Sequence, residues 1–142
     1  MSFDEWKDLF EIAVLAVVDK IDVSRELLRL DVGVFPWHGW IELSLLFSEE
    51  ADADAELIDD IAAWPSYNFS NYTEKEWSEV QEICDSMKAM YSSDIEIAHK
   101  YFEAAAEVMK RTTILQALKN KYLSKSFKIT LTHPDDHEIS YL

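Results

Sequence analysis

The densest group of side chains able to do chemistry is His133-Pro134-Asp135-Asp136-His137-Glu138. Imidazole and carboxylate together can hold a divalent cation, so His133, Asp135 and His137 are the candidate metal ligands. His38 could join them if the two turns lie at one end of a sheet. The spacing matches no defined metal site, and the same residues equally suit a polar, solvated hairpin turn with proline at its second position. Asp52-Ala53-Asp54-Ala55-Glu56 has the opening of a calcium loop but not its completion. Leu57 stands where that loop needs its sixth-position glycine, and Ala63 where it needs the bidentate glutamate.

Nucleophilic and nucleotide chemistry find less support. Cys84 and His99 are a conceivable nucleophile and base, but Cys84 sits between Val80 and Met87 on the apolar side of a helical pattern, where a thiol is usually inert. Gly33 and Gly39 are the only glycines. Neither a G-x-G-x-x-G nor a G-x-x-x-x-G-K-[ST] phosphate loop can be written with them, and there is no G-x-S-x-G elbow. Acidic residues are too numerous to single out one pair as acid and base. No catalytic residue and no cofactor is therefore expected.

Charge says more. Against 13 basic residues there are 28 acidic ones, a net charge of −15, which argues against nucleic acid or an anionic membrane as partner. The imbalance is also uneven: residues 108–134 contain 6 basic and no acidic side chains, while the chain before them is strongly acidic. Between Glu49 and Asp60 seven of twelve residues are acidic and none is basic, and an aromatic stretch from Trp64 to Tyr72 follows directly. Glu49, Glu50, Asp52, Asp54, Trp64, Tyr67 and Phe69 are thus the candidate edge for binding a basic protein. The competing reading has the aromatic side chains packing down as a loop anchor while the acids keep the protein soluble.

The elements that must position these groups follow from periodicity. Ile41, Leu43, Leu45 and Phe47 alternate with Glu42, Ser44 and Ser48, the pattern of a half-buried strand, and Leu46 breaks the polar row so that this face is expected to be partly covered. Pro36 and Gly39 suit the turn that joins this strand to one before it. Three capping boxes, Ser2 with Glu5, Thr73 with Glu76 and Ser93 with Glu96, open three apolar helical patterns. Residues 24–30 read as a continuation of the first helix after a bend, or as a short turn. The expected fold is α+β, one domain over 1–142: an antiparallel sheet, with strands near 31–35, 40–48, 126–132 and 137–142, packed on three main helices near 3–21, 74–91 and 94–123. A chain of this length buries roughly 68 to 70% of its unfolded surface. A single cysteine excludes an internal disulfide. Residues 9–18 are apolar but follow Asp4, Glu5 and Asp8 with no basic region, so they read as helix and not as an export signal, and a cytoplasmic setting is expected.

Phe35-Pro36-Trp37-His38-Gly39-Trp40 entering an amphipathic strand, the acidic run, and Trp64 to Phe69 ahead of a capped helix together give a chain that resembles, in type, the small acidic α+β immunity proteins that bacteria make against their own toxins. The resemblance implies a non-enzymatic binder that occludes a toxin's active site, and it assigns no individual residue. An inhibitor of a basic protein is therefore the leading expectation. The alternatives are a metal-binding protein or metal-dependent enzyme built on the His133 to Glu138 turn, and a subunit of a homo-oligomer such as a homodimer.

Overall fold

The computed structural model describes residues 1–70 and 77–142. Helix α1 (Phe3–Asp19) begins where the sequence places it: the Ser2 hydroxyl oxygen accepts from the Glu5 N–H at 3.1 Å. Its apolar stripe of Trp6, Phe10, Ala13, Val14, Val17 and Val18 is buried. Two indoles fasten this stripe to the second half of the chain. Trp6 Nε1 donates to the Ile83 carbonyl at 3.2 Å, and Trp77 Nε1 donates to the Ala13 carbonyl at 2.8 Å. Each buried N–H thus has an acceptor, which burial of an indole requires.

Strand β1 (Leu27–Phe35) and strand β2 (Trp40–Phe47) form an antiparallel hairpin about the Pro36–Gly39 turn, with Val34 opposite Ile41 and Val32 opposite Leu43. Gly39 lies at φ +61°, the left-handed region that glycine tolerates. Residues 27–30 are thus strand, not helix. A register irregularity between Leu27 and Arg29 interrupts the alternation that would have marked them.

After β2 come helix α2 (Ser48–Ala53), two 3₁₀ turns (Ala55–Asp59 and Ile61–Ala63), helix α3 (Gln81–Ser93), helix α4 (Ala98–Met109) and helix α5 (Thr112–Lys119). The helix expected over 94–123 is therefore two helices. Arg111 adopts an extended conformation between them, and its guanidinium reaches Asp8 at 2.9 Å and Glu11 at 3.7 Å on α1. The cap expected from Ser93 comes instead from Asp94, whose carboxylate accepts from the Glu96 N–H at 3.1 Å, while Ser93 belongs to the end of α3. The box of Thr73 with Glu76 lies outside the described residues.

Strand β3 (Leu123–Thr130) runs parallel to β1, giving the order β2-β1-β3. The sheet is mixed and not antiparallel throughout. A parallel neighbour needs a long crossover, and the helices between β2 and β3 supply one. The last two strands, β4 (Thr132–His133) and β5 (Asp136–Ser140), form a separate small antiparallel pair and do not extend the main sheet.

Both faces of the main sheet are covered. Leu30, Val32, Val34, Ile41, Leu43, Leu45 and Phe47 enter the large core shared with the helices. On the other face Leu46 meets Ala51 and Trp64 in a second, smaller cluster, with Leu28, Leu57 and Ile61 packed around it. The alternation of β2 is thus real, but its second face is roofed by the acidic segment. The stretch that follows it closes the free edge of β2: Leu45 N–H donates to the Ser66 carbonyl, Leu43 N–H to the Ser70 hydroxyl, and Ser70 N–H returns to the Leu43 carbonyl. Covering an edge in this way removes a template for unwanted strand pairing. Among the described residues no helix is long and apolar enough to cross a membrane.

Candidate functional site

Strand alternation puts Asp31, Gly33 and Phe35 of β1 on the outer face, beside Glu42 and Ser44 of β2. Gly33 is the direct cross-strand partner of Glu42, and Asp31 that of Ser44, so the two carboxylates are diagonal neighbours. Each of these acids is only 8% exposed. Thr130 on β3 donates its hydroxyl to Asp31 Oδ1 at 2.6 Å, and Tyr67 donates its hydroxyl to Glu42 Oε2 at 2.6 Å.

These residues line the middle of a groove. A cavity of about 240 Å³ lies between the strands, the 61–67 segment and the turn after β4, walled by Asp31, Phe35, Glu42, Tyr67, Pro134 and His137. It adjoins a depression of about 170 Å³ toward Arg29 and Asp59, and another of about 220 Å³ toward His38 and Trp40. The three share walls at His137 and Ile61 on one side and at Tyr67 and Glu42 on the other.

Electrostatically the groove is acidic. Burial raises the Asp31 carboxyl to about 6, an effect that the Thr130 hydrogen bond and the nearby His137 oppose and that Glu42 reinforces. Burial, followed by the bond to Glu42, pushes the Tyr67 phenol up to about 12, so Tyr67 remains a donor at neutral pH. Neither Asp31 nor Glu42 has a lysine or arginine ion-pair partner among the described residues. Arg29, on the same strand as Asp31, instead directs its guanidinium to the carbonyls of Leu28 and Ser126, each at 2.9 Å. The arrangement can hold a cationic group, and its buried carboxyl can exchange a proton near neutral pH.

The residues expected to form a binding edge are divided by the fold. Trp64 is 4% exposed, and its indole N–H donates to the Leu57 carbonyl; it anchors the roof from below. Phe69 is partly buried against the main core. Tyr67 keeps an exposed ring edge while its hydroxyl enters the groove. Glu49 pairs with Arg25 at 2.5 Å, and Glu50 accepts from the Phe47 N–H at 2.9 Å at the start of α2. Asp52 is exposed, and Asp54 accepts from the Glu56 N–H at 3.1 Å.

The expected metal ligands do not converge. His133 Nδ1 accepts from the Asp135 N–H at 3.0 Å, and the ring stands edge-on to Phe102 at 5.1 Å, facing the core. His137 turns to the groove instead, and His38 lies near the Trp37 ring at the far end of the hairpin. Among the described residues no group of three His, Cys, Asp or Glu side chains could hold a metal ion. Cys84 is buried.

Sequence reasoning misses Asp31 and Thr130 as site residues, and it reads Glu42 only as part of the wet side of a strand. A usable signal exists. Asp31 is a lone acid in Leu27-Leu28-Arg29-Leu30-Asp31-Val32-Gly33-Val34-Phe35, a strand otherwise built for burial. The fold and groove together define an α+β protein with a roofed mixed sheet and an acidic groove. No protein-family model, curated protein or solved structure matches the chain.

Proposed function

We propose that this is a non-enzymatic binding protein for a basic protein partner, acting as an immunity-type inhibitor that covers its target's working surface. The observation that carries the reading is the construction of the 48–63 segment. Its apolar side chains Ala51, Leu57 and Ile61 turn under onto Leu46 and Trp64, while Asp52, Asp54, Glu56, Asp59 and Asp60 all stand exposed. Arg25 is the cation paired with the segment among the described residues, and it engages Glu49 and Glu50 at the near end. The remaining acids form a ridge beside an acidic groove, so one face presents negative charge from two adjacent features. Such a field raises association rates with a basic partner by roughly 10 to 1,000 fold at low salt. A reducing cytoplasm suits a chain whose one thiol is buried.

The test is capture of the partner from the native cell extract by the tagged protein, at salt bracketing the range in which the screening length falls from about 30 to about 8 Å. One basic protein recovered in near-equal amount, and lost at higher salt or on the combined change Asp52→Asn, Asp54→Asn, Glu56→Gln, is the expected result. Recovery of a second copy of this chain alone, or of a partner indifferent to both changes, overturns the reading.

A further inference from the structure

Resting on that reading, we propose that the central cavity of the groove is the seat for one cationic side chain of the partner, its head held by the carboxylates of Asp31 and Glu42 against the rings of Phe35 and Tyr67. Three observations converge on this.

The first is an open acceptor in a buried place. Asp31 is 8% exposed and uses Oδ1 on Thr130, and its other oxygen has no hydrogen-bond partner among the described residues. A largely buried carboxylate that keeps one oxygen without a protein partner gains from a cation that completes its hydrogen bonds.

Size is the second. Pockets that enclose whole drug-sized ligands run from roughly 300 to 1,000 Å³. At about 240 Å³ the cavity is below that range and open to the adjoining depressions, which suits the end of one side chain entering from a larger surface.

The third is the chemistry of the walls. Two carboxylates from neighbouring strands face a space bordered by aromatic rings, a combination that favours a cation by charge and by ring quadrupole together. An anion would meet two acids, and a neutral apolar group would leave both unpaired.

The test uses the isotope-labelled full chain and small cations in place of the partner: methylguanidinium chloride and methylammonium chloride, each against sodium chloride of equal ionic strength. Saturable NMR shift changes at Gly33, Tyr67 and Thr130 with either organic cation are expected, and the stronger of the two identifies the side chain as arginine or lysine. In Asp31→Asn or Glu42→Gln the response should weaken roughly tenfold or more, since each loses a charge-assisted bond while keeping an acceptor for its Thr130 or Tyr67 partner. The combined Asp52→Asn, Asp54→Asn, Glu56→Gln chain should respond as the unaltered one does.

Changes that rise linearly without saturating, that spread evenly over the ridge, or that persist at full strength in Asp31→Asn and Glu42→Gln chains with native spectra, overturn the proposal. A partner captured through the ridge but unaffected by Asp31→Asn and Glu42→Gln removes the seat and leaves the binding function standing. Saturable cation binding in the cavity, with no basic partner captured, removes the binding function instead.

Discussion

The Tyr67 hydroxyl donates to the Glu42 carboxylate across 2.6 Å, joining the loop that follows the acidic ridge to the outer face of strand β2. This bond satisfies a carboxylate that is 8% exposed and divides the central cavity of the groove from the depression beside His38. Tyr67→Phe removes the donor but keeps the ring. The variant should unfold with a stability lower by about 1 to 3 kcal/mol, the usual penalty for leaving a buried polar group without its partner. Denaturant titration checks this, and the double variant with Glu42→Gln should recover part of the loss.

Asp31 gives a pH-dependent prediction with a defined sign. Its carboxyl is raised from 3.8 to about 6 by burial, so folding favours the protonated form. The contribution of this group to stability is complete below pH 3.8 and is lost as pH rises through 6. With about 1.4 kcal/mol for each pH unit separating the folded from the unfolded value, the loss reaches about 3 kcal/mol near neutral pH. Asp31→Asn cannot ionise and keeps an acceptor for Thr130. It should therefore be more stable than the unaltered chain by about 1 to 3 kcal/mol at about pH 7.5, with the difference shrinking toward about pH 4. Paired urea titrations at the two pH values measure it. An acid retained where an amide would be more stable is an arrangement typical of functional sites.

Trp64 anchors the roof of the outer sheet face. Trp64→Ala should lower stability by about 3 to 5 kcal/mol, the range for removing a buried indole, and should raise amide exchange most over residues 48–63. Thermal unfolding with hydrogen exchange checks both parts. An unchanged stability would contradict the buried position.

Gly39 closes the β1–β2 turn against α3. A Cβ at this residue would come within 2.8 Å of Lys88 Cβ and 2.9 Å of the Cys84 carbonyl oxygen, at φ +61°. Gly39→Ala should cost about 1 to 3 kcal/mol through backbone strain and this contact together. The measurement is again the unfolding midpoint; adding Lys88→Ala, which keeps Cβ and removes only the 3.2 Å contact at Cδ, should recover little of the loss.

Much of the local structure was legible in the chain. Ser2 caps α1 because a hydroxyl ahead of an apolar stripe satisfies orphan N–H groups wherever the rest of the molecule goes. The alternation from Ile41 to Phe47, the Pro36–Gly39 turn and the partial covering implied by Leu46 are also local matters, decided by pleat, φ preference and side-chain type. The α+β class followed from these patterns. Less legible were the ends of elements. At the break Arg111 pairs with acids of α1 about a hundred residues away, a contact that no local pattern announces, and the strand at Leu27 carries a register irregularity that interrupts its period.

What the sequence by itself determined is the set of amphipathic elements and the charge they carry, since these depend on neighbours within a few residues. Only the tertiary structure decided which strand lies beside β1. Parallel and antiparallel partners present the same side-chain alternation and differ in the path of the connecting chain. The same holds for the groove. Asp31, Glu42, Tyr67, Thr130 and His137 come from four strands and a loop, and they meet because backbone pairing and the packing of Trp64 under the acidic segment bring them to one face. Nothing in their spacing along the chain encodes that meeting, because the forces that produce it, burial and long-range hydrogen bonding, act through space and not along the sequence.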